Sequence, residues 1–254
     1  KENRELTAQS GISFDEILAI IIPEGFFLPV SPGTRFVSVG GTIAADVHGK
    51  NHHKDGTFGK NVKRLLLMDG NGDLQELSQF DKNCDNRSKF WATVGGMGMT
   101  GIILEATFSL IPISSSFISV DTSRHENLDE LMEKMIESDE INKYSVAWVD
   151  SLHKNFRGVL TTGNHPAYKD LPARLNKNPL IYDIKSIGNA SNLIPGGLIN
   201  QFTVKAFNEA WYRKSPKFRK GEFQNIGKYF YPLDGIKDWN LIYGESGFIQ
   251  YQFV

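Results

Sequence analysis

The chain has 254 residues, 40% hydrophobic and 11% aromatic, enough for one large domain or two smaller ones with a sizeable core. A formal net charge of -1 leaves no global field for nucleic acid or an acidic membrane surface. The single cysteine, Cys84, excludes an intramolecular disulfide framework and a multi-cysteine zinc site, and no apolar run reaches the roughly 18 residues needed to span a bilayer.

Lys1–Gln9 is polar and mixed in charge, so no signal peptide is expected. The missing initiator Met, and an end at Phe253–Val254 inside an alternating run, read as an excerpt of a longer protein. Ser13-Phe14-Asp15-Glu16 has the form of a capping box, in which the Ser13 hydroxyl accepts the Glu16 N–H and Glu16 reaches back. Ile17, Leu18, Ile20 and Ile21 continue that helix, and Gly25 ends it. Phe36–Val39 reads as a short strand opening into Gly40-Gly41. Val62–Met68 and Leu74–Leu77, joined by Asp69-Gly70-Asn71-Gly72-Asp73, read as a hairpin. Ile102–Leu110 is a strand in which Leu104, Ala106, Phe108 and Leu110 alternate against Ile103, Glu105, Thr107 and Ser109.

After Pro112 and Ser114–Ser116 the pattern changes, which places a domain boundary near residue 115. Leu128, Leu131, Met132, Met135 and Ile136 recur at helical spacing, a stripe expected to pack into a core. Strands are expected near Tyr144–Val149 and Arg157–Thr161, and a mobile loop at Asn189–Pro195. The basic run Arg213, Lys214, Lys217, Arg219 and Lys220 reads as a solvated face, with a lipid phosphate or membrane surface as the sharper alternative. A last strand, Phe248–Val254, puts Phe248, Gln250, Gln252 and Val254 on one side. No internal repeat is evident.

Three motifs invite specific chemistry. Gly96-Met97-Gly98-Met99-Thr100-Gly101 satisfies G-x-G-x-x-G, yet it leads into a strand, whereas a dinucleotide fingerprint must open a helix. What remains is a glycine turn where backbone passes close to something flat or phosphorylated. His48-Gly49-Lys50-Asn51-His52-His53 lacks the upstream glycine and the hydroxyl residue of a phosphate loop. His48 and His52 could share a helix face and hold a metal, but Gly49 weakens that helix and no acidic or cysteine third ligand is near in sequence. A polar loop with incidental histidines is the plainer reading. Upstream, Ser38-Val39-Gly40-Gly41-Thr42-Ile43-Ala44-Ala45-Asp46 is a run of small residues. It is expected to leave backbone N–H groups accessible for a pyrophosphate, or else to pack a turn tightly against a strand.

Taken together, the two glycine-rich segments resemble a known pattern. PGTRFVSVGGTIAADVHGKNHH followed by FWATVGGMGMTGIILEATFSLIP is similar, in order and spacing, to the FAD-binding PCMH-type domain of the vanillyl-alcohol-oxidase superfamily of flavoproteins. HGKNHH, YSVAWVD, AWYRKSP, YPLDGIKDWN and GFIQYQFV extend the likeness over most of the chain, toward the branch that oxidises polyprenyl-phosphate sugars. The resemblance implies an α+β fold: a two-subdomain FAD-binding domain, here residues 1–115, and a substrate (cap) domain on an antiparallel sheet, here 116–254, both partial. The family's pyrophosphate loop would precede Lys1, and a segment with a catalytic lysine and a cysteine would follow Val254.

Residue by residue, the resemblance implies that Gly33, Ser38, Val39, Gly40, Gly41, Ala45, Asp46, Val47, His48 and Ile103 line a noncovalent FAD. His48, Lys50 and Gln252 would serve catalysis; Lys50, Trp148, Phe230, Gln250 and Gln252 would meet the substrate. No metal is implied. A tyrosine of the family is replaced by Phe230, with Tyr231 beside it in a turn, Tyr229–Pro232. The implied activity is that of an oxidoreductase acting on a CH–OH group, turning the 2-hydroxyl of decaprenylphosphoryl-β-D-ribose into a ketone. A separate NADH-dependent reductase would complete the epimerisation to decaprenylphosphoryl arabinose for cell-wall arabinan. The expected location is peripheral, on the cytoplasmic or periplasmic side of the inner membrane. Alternatives are an FAD-dependent alditol or aldonolactone oxidase, and a flavin-free binding domain.

Overall fold

The computed structural model describes residues 4–183, 188, 189, 199–237, 241, 243, 247, 249 and 250. The chain divides into two compact units, Lys1–Ser119 with Asn164–Asp183 and Gln224–Tyr231, and Val120–Gly163 with Ile184–Phe223 and Pro232–Val254. Helices and antiparallel sheets mix in both, so the fold is α+β as the sequence predicts.

In the first unit, β1 (Glu5–Gln9) leads to α1 (Phe14–Ile21), the two-residue strand β2 (Phe26–Phe27), α2 (Val39–Ala44) and α3 (His52–Asp55). The hairpin β3 (Val62–Met68) and β4 (Leu74–Ser78), helix α4 (Cys84–Thr93) and strand β5 (Ile102–Ser109) follow. β6 (Ile111–Pro112) pairs with β2. The main sheet has the order β1-β5-β3-β4. The predicted capping box closes on both sides, with the Glu16 carboxylate 2.9 Å from the Ser13 N–H it accepts. Ile17, Leu18 and Ile21 are buried, while Ile20 points to solvent, so the stripe rather than the whole apolar run seats α1. Phe14, Phe58 and Phe108 form an aromatic column between helix and sheet, with successive ring centroids 5.3 Å apart.

The β5 alternation holds except at one point. The partner of Leu66 is Glu105 and that of Leu67 is Ile103, so Leu104 is skipped in a bulge. Ile103 thereby turns inward with Ala106 and Phe108.

Phe36–Val39 is not a strand. Ser38 is extended, but its hydroxyl accepts the Gly41 N–H and caps α2, which runs on through both glycines. Val39, Thr42 and Ile43 are buried at helical spacing, so packing of that face outweighs the low helix propensity of Gly40-Gly41. α4 has no counterpart in the sequence reading, because its apolar residues do not recur at a helical period; Asn83 caps it by accepting the Asp85 N–H at 2.8 Å.

The second unit holds the sheet β11-β7-β9-β8, from β7 (Phe117–His125), β8 (Tyr144–Val149), β9 (Gly158–Asn164) and β11 (Phe218–Asn225), with α5 (Leu128–Ile141) and α6 (Gln201–Lys214). The strands expected at Tyr144–Val149 and Arg157–Thr161 are β8 and β9, joined antiparallel. Asp150 accepts hydrogen bonds from Arg157 and Asn208, and Arg157 also pairs with Glu209, a buried network that ties α6 to the sheet. The α5 stripe forms a helix, but not a core: only Leu131 is buried, and Met132 and Ile136 are 53% and 66% exposed. Helical period fixes which residues share a face, not whether anything covers it. In the basic run, Arg213 pairs with Glu209, and Arg219 with Glu222 at 3.0 Å.

The short helix α7 (Ile226–Phe230) belongs to the first unit, and the two-residue strands β10 (Gly188–Asn189) and β12 (Ile236–Lys237) pair in parallel in the second. The predicted turn at Tyr229–Pro232 is thus the C-terminal end of a helix whose N-terminus is capped by Asn225, whose side chain accepts the Lys228 N–H at 2.7 Å. Of the expected loop Asn189–Pro195, only Asn189 is described, and it lies in β10. Of the expected strand Phe248–Val254, Ile249 and Gln250 are described, both exposed and unpaired in any sheet; Gln252 lies outside the described residues. A strand requires a neighbour to take its backbone groups, and none is present at 249–250 among the described residues.

Candidate functional site

The two glycine-rich segments meet in the first unit. The turn after α4 donates the Gly95 N–H to the Ile43 carbonyl at 3.0 Å and the Met97 N–H to the Ala44 carbonyl at 2.9 Å, fastening it to the end of α2. Gly95 and Gly98 have φ of +75° and +79°, left-handed values that glycine adopts without cost. The turn also passes from a helix to a strand, the reverse of a dinucleotide fingerprint.

Ser38, Gly40, Gly41, Gly98, Gly101 and Ile103 line one open cavity of about 390 Å³, together with Ser10 and Gly11. This volume is in the small-molecule range. Nothing lies within 4 Å of where a Cβ would stand at Gly11 or Gly98, so those walls are open to a guest. No lining residue carries a charge. Such a wall suits a flat neutral surface more than an anion.

The expectation of free N–H groups for a pyrophosphate does not hold for α2. The Val39 N–H donates to the Ile12 carbonyl at 3.0 Å, the Gly40 N–H to the Ser10 carbonyl at 2.8 Å, and the Gly41 N–H to the Ser38 hydroxyl at 3.2 Å. The first-turn donors of this helix are consumed by the loop it packs on and by its own cap, Ser38. Gly40 also permits that approach, since a Cβ there would fall 2.9 Å from Ser10 Cβ.

Beyond α2 the chain turns at Asp46, a non-glycine residue with φ of +43°. Its carboxylate accepts the Gly59 N–H at 2.9 Å, so Asp46 clamps the turn instead of facing the cavity. Gly33 and Ala45 are exposed, Val39 is in the core, and Val47 accepts the Phe58 N–H through its carbonyl.

His48 and Lys50 form a second cluster in the same unit. The His48 ring meets His52 edge-on at 5.9 Å. Burial, and then the neighbouring His52, hold the His48 imidazole below its ordinary value, so it is neutral near pH 7. Lys50 is half-buried; its ammonium donates to the Phe230 carbonyl at 3.4 Å and stands 5.9 and 6.0 Å from the Tyr229 and Phe230 ring centroids. Burial pushes it down to about 8. The Phe230 ring itself is 1% exposed and packs on Phe27 at 5.0 Å, so its carbonyl is what it presents to Lys50. Among the described residues no group of three or more His, Cys, Asp or Glu side chains could hold a metal. Trp148, half-buried on β8, and exposed Gln250 belong to the second unit.

Sequence reasoning missed Ser10, Gly11, Gly98 and Gly101 as cavity residues and Asp46 as a clamp. The glycine turn was the signal for two of them.

Comparison with known proteins matches residues 1–78 to the FAD binding domain family. That match covers the first segment of this chain. The whole chain is 39% identical over 255 residues to decaprenylphosphoryl-beta-D-ribose oxidase of Mycolicibacterium smegmatis, covering 99% of this chain and 55% of that protein. It is 30% identical over 236 residues to an uncharacterized protein in the mprA 5' region of Streptomyces coelicolor, 88% of this chain and 62% of the other. D-lactate dehydrogenase of Anaerostipes hadrus matches at 29% over 131 residues, 51% of this chain and 27% of that enzyme. The chain therefore spans little more than half the length of the first two relatives. An FAD binding family match is consistent with the neutral, glycine-walled cavity, whose neighbouring α2 N–H groups of Val39, Gly40 and Gly41 are already occupied. No described helix is long and apolar enough to cross a membrane.

Proposed function

We propose that this protein is an FAD-dependent oxidase that converts the 2-hydroxyl of decaprenylphosphoryl-β-D-ribose into a ketone, in the first half of an epimerisation toward decaprenylphosphoryl arabinose. The observation that carries this reading is the 39% identity to a decaprenylphosphoryl-beta-D-ribose oxidase along both compact units, joined to an FAD binding domain match. FAD, when bound, supplies the hydride acceptor. Ser38, Gly40, Gly41, Gly98, Gly101 and Ile103 would hold one face of it in the glycine-walled cavity.

His48, neutral near pH 7, is suited to accept the hydroxyl proton, and Lys50 is poised between donor and free amine. Lys50, held at the Phe230 carbonyl, would orient the sugar. Lysine can meet a lipid-linked phosphate as a point charge. The ketone requires a separate NADH-dependent reductase, and a polyprenyl substrate implies peripheral work at a membrane face.

The test uses the protein expressed from its complete reading frame. It should purify with visible flavin absorption, released on denaturation. Under anaerobic conditions that absorption should bleach with a polyprenylphosphoryl ribose and not with xylitol or gulonolactone. Bleaching by the free alditol or lactone alone would assign the second oxidase reading, and absence of flavin would sink both. In the same assay His48→Ala should slow reduction by about 10²–10⁴-fold with little change in melting temperature. Unchanged reduction kinetics would remove His48 from the reacting groups.

A further inference from the structure

Ser31 touches the chain neighbours of both partners of the Lys50 contact, Gly49 on one side and Tyr231, 200 positions away, on the other. Its hydroxyl shares a hydrogen bond of 2.6 Å with the Tyr231 hydroxyl, and the two residues are 3% and 2% exposed. Its backbone lies under Gly49, where a Cβ would fall 2.7 Å from the Ser31 oxygen and 3.1 Å from its nitrogen. Gly49 precedes Lys50, and Tyr231 follows Phe230, whose carbonyl accepts from Lys50. The contacts thus close a ring: Ser31 to Tyr231, one peptide back to Phe230, across to Lys50, one peptide back to Gly49, and down onto Ser31.

Within this ring the bonds are unequal. An O–H···O distance of 2.6 Å is short and strong, whereas 3.4 Å from the Lys50 nitrogen to the Phe230 oxygen is long and sensitive to small displacement. The Tyr229 and Phe230 rings lie near the outer limit for a cation over an aromatic face. We propose that the Ser31–Tyr231 hydrogen bond is a latch that positions the Lys50 ammonium by fixing the end of α7 against it. Ser31 and Tyr231 are positioning residues in this scheme; neither touches the reacting atoms.

The inference rests on the assignment of Lys50 to the site, but its test does not. Of the titratable side chains, Tyr229 of α7 faces Lys50, with its ring centroid 5.9 Å from the ammonium, and His48 lies two residues away on the same loop. Burial, not a charged neighbour, is what lowers its proton affinity. Releasing the latch lets water reach the ammonium and restores that affinity.

The experiment is competitive acetylation of Lys50 across pH, read by mass spectrometry, in the protein from its complete reading frame and in Tyr231→Phe, Ser31→Ala and the double variant. Each single variant should move the labelling midpoint upward by about one pH unit, so that the free-amine fraction at pH 7 falls roughly tenfold. The double variant should move it no further, because both changes remove one bond. Midpoints equal to the parent in the single variants, or shifts that add in the double, overturn the latch. Should Tyr231→Phe not fold, Ser31→Ala, which deletes one oxygen, decides the question alone. No substrate or turnover enters this measurement, so its failure leaves the oxidase proposal standing, and a shifted midpoint in a protein without oxidase activity would refute only the latter.

Discussion

Gly101→Ala is expected to destabilise the first unit by about 3–5 kcal/mol, the range reached when a backbone conformation and a packed backbone contact are violated together. Gly101 has φ of +144°, and a Cβ there would stand 2.3 Å from the Met68 carbonyl oxygen and 3.2 Å from Asp69 Cα. Both obstacles are main chain at the end of β3, so no side chain can swing away. The residue also lines the cavity, and a shift of this strand end should lower flavin occupancy in the protein from its complete reading frame. Gly98→Ala is the internal control: its φ is +79°, but nothing lies within 4 Å. It should cost only the left-handed penalty of about 1–2 kcal/mol. Urea unfolding of the two variants checks the pair, and equal losses would contradict the argument.

Lys50→Met is expected to act in the opposite direction. Its folded-state value is lowered from 10.5 to about 8. Between those two values the unfolded chain binds more protons than the folded one, so stability rises with pH through that window. Below about 8 the full cost of burying the ammonium is present, up to about 3 kcal/mol by the usual conversion. Replacing it with an apolar side chain of similar length should therefore raise stability at pH 7 by about 1–3 kcal/mol. The advantage should shrink as pH climbs from about 8 to 10.5. A variant less stable than the parent at pH 7, or an advantage independent of pH, would show that Lys50 is not held against its own hydration. A side chain kept at such a cost is expected where chemistry needs it.

Local signals made much of this fold legible from sequence. The Ser13–Glu16 box, the β3–β4 hairpin and the β5 alternation depend on neighbours within a few residues, and each forms. α2 was not legible, because Phe36–Val39 carries the aromatic and branched residues of a strand. What decides it is tertiary: the Gly40 N–H is taken by Ser10, and Val39 and Ile43 fit a buried face. The α5 stripe shows the converse, since its period is helical while most of its apolar side chains face solvent. In the site, the two glycine segments could be recognised separately and by their joint resemblance. Asp46 on Gly59 and Ser31 on Tyr231 could not, because partners 13 and 200 positions apart leave no periodic trace in a single chain.

The fastening of the Gly95–Gly98 turn to Ile43 and Ala44 has a consequence for how this cavity can vary. Its wall is joined by main-chain groups, which every sequence carries. Side chains such as Met99, 87% exposed, hang on the outside and are free to change. The glycines obey a different rule, set by torsion angle and available space rather than by chemistry. The rim can be altered to suit another guest while the wall stays as it is, and the few positions that hold the wall are the ones with no side chain at all.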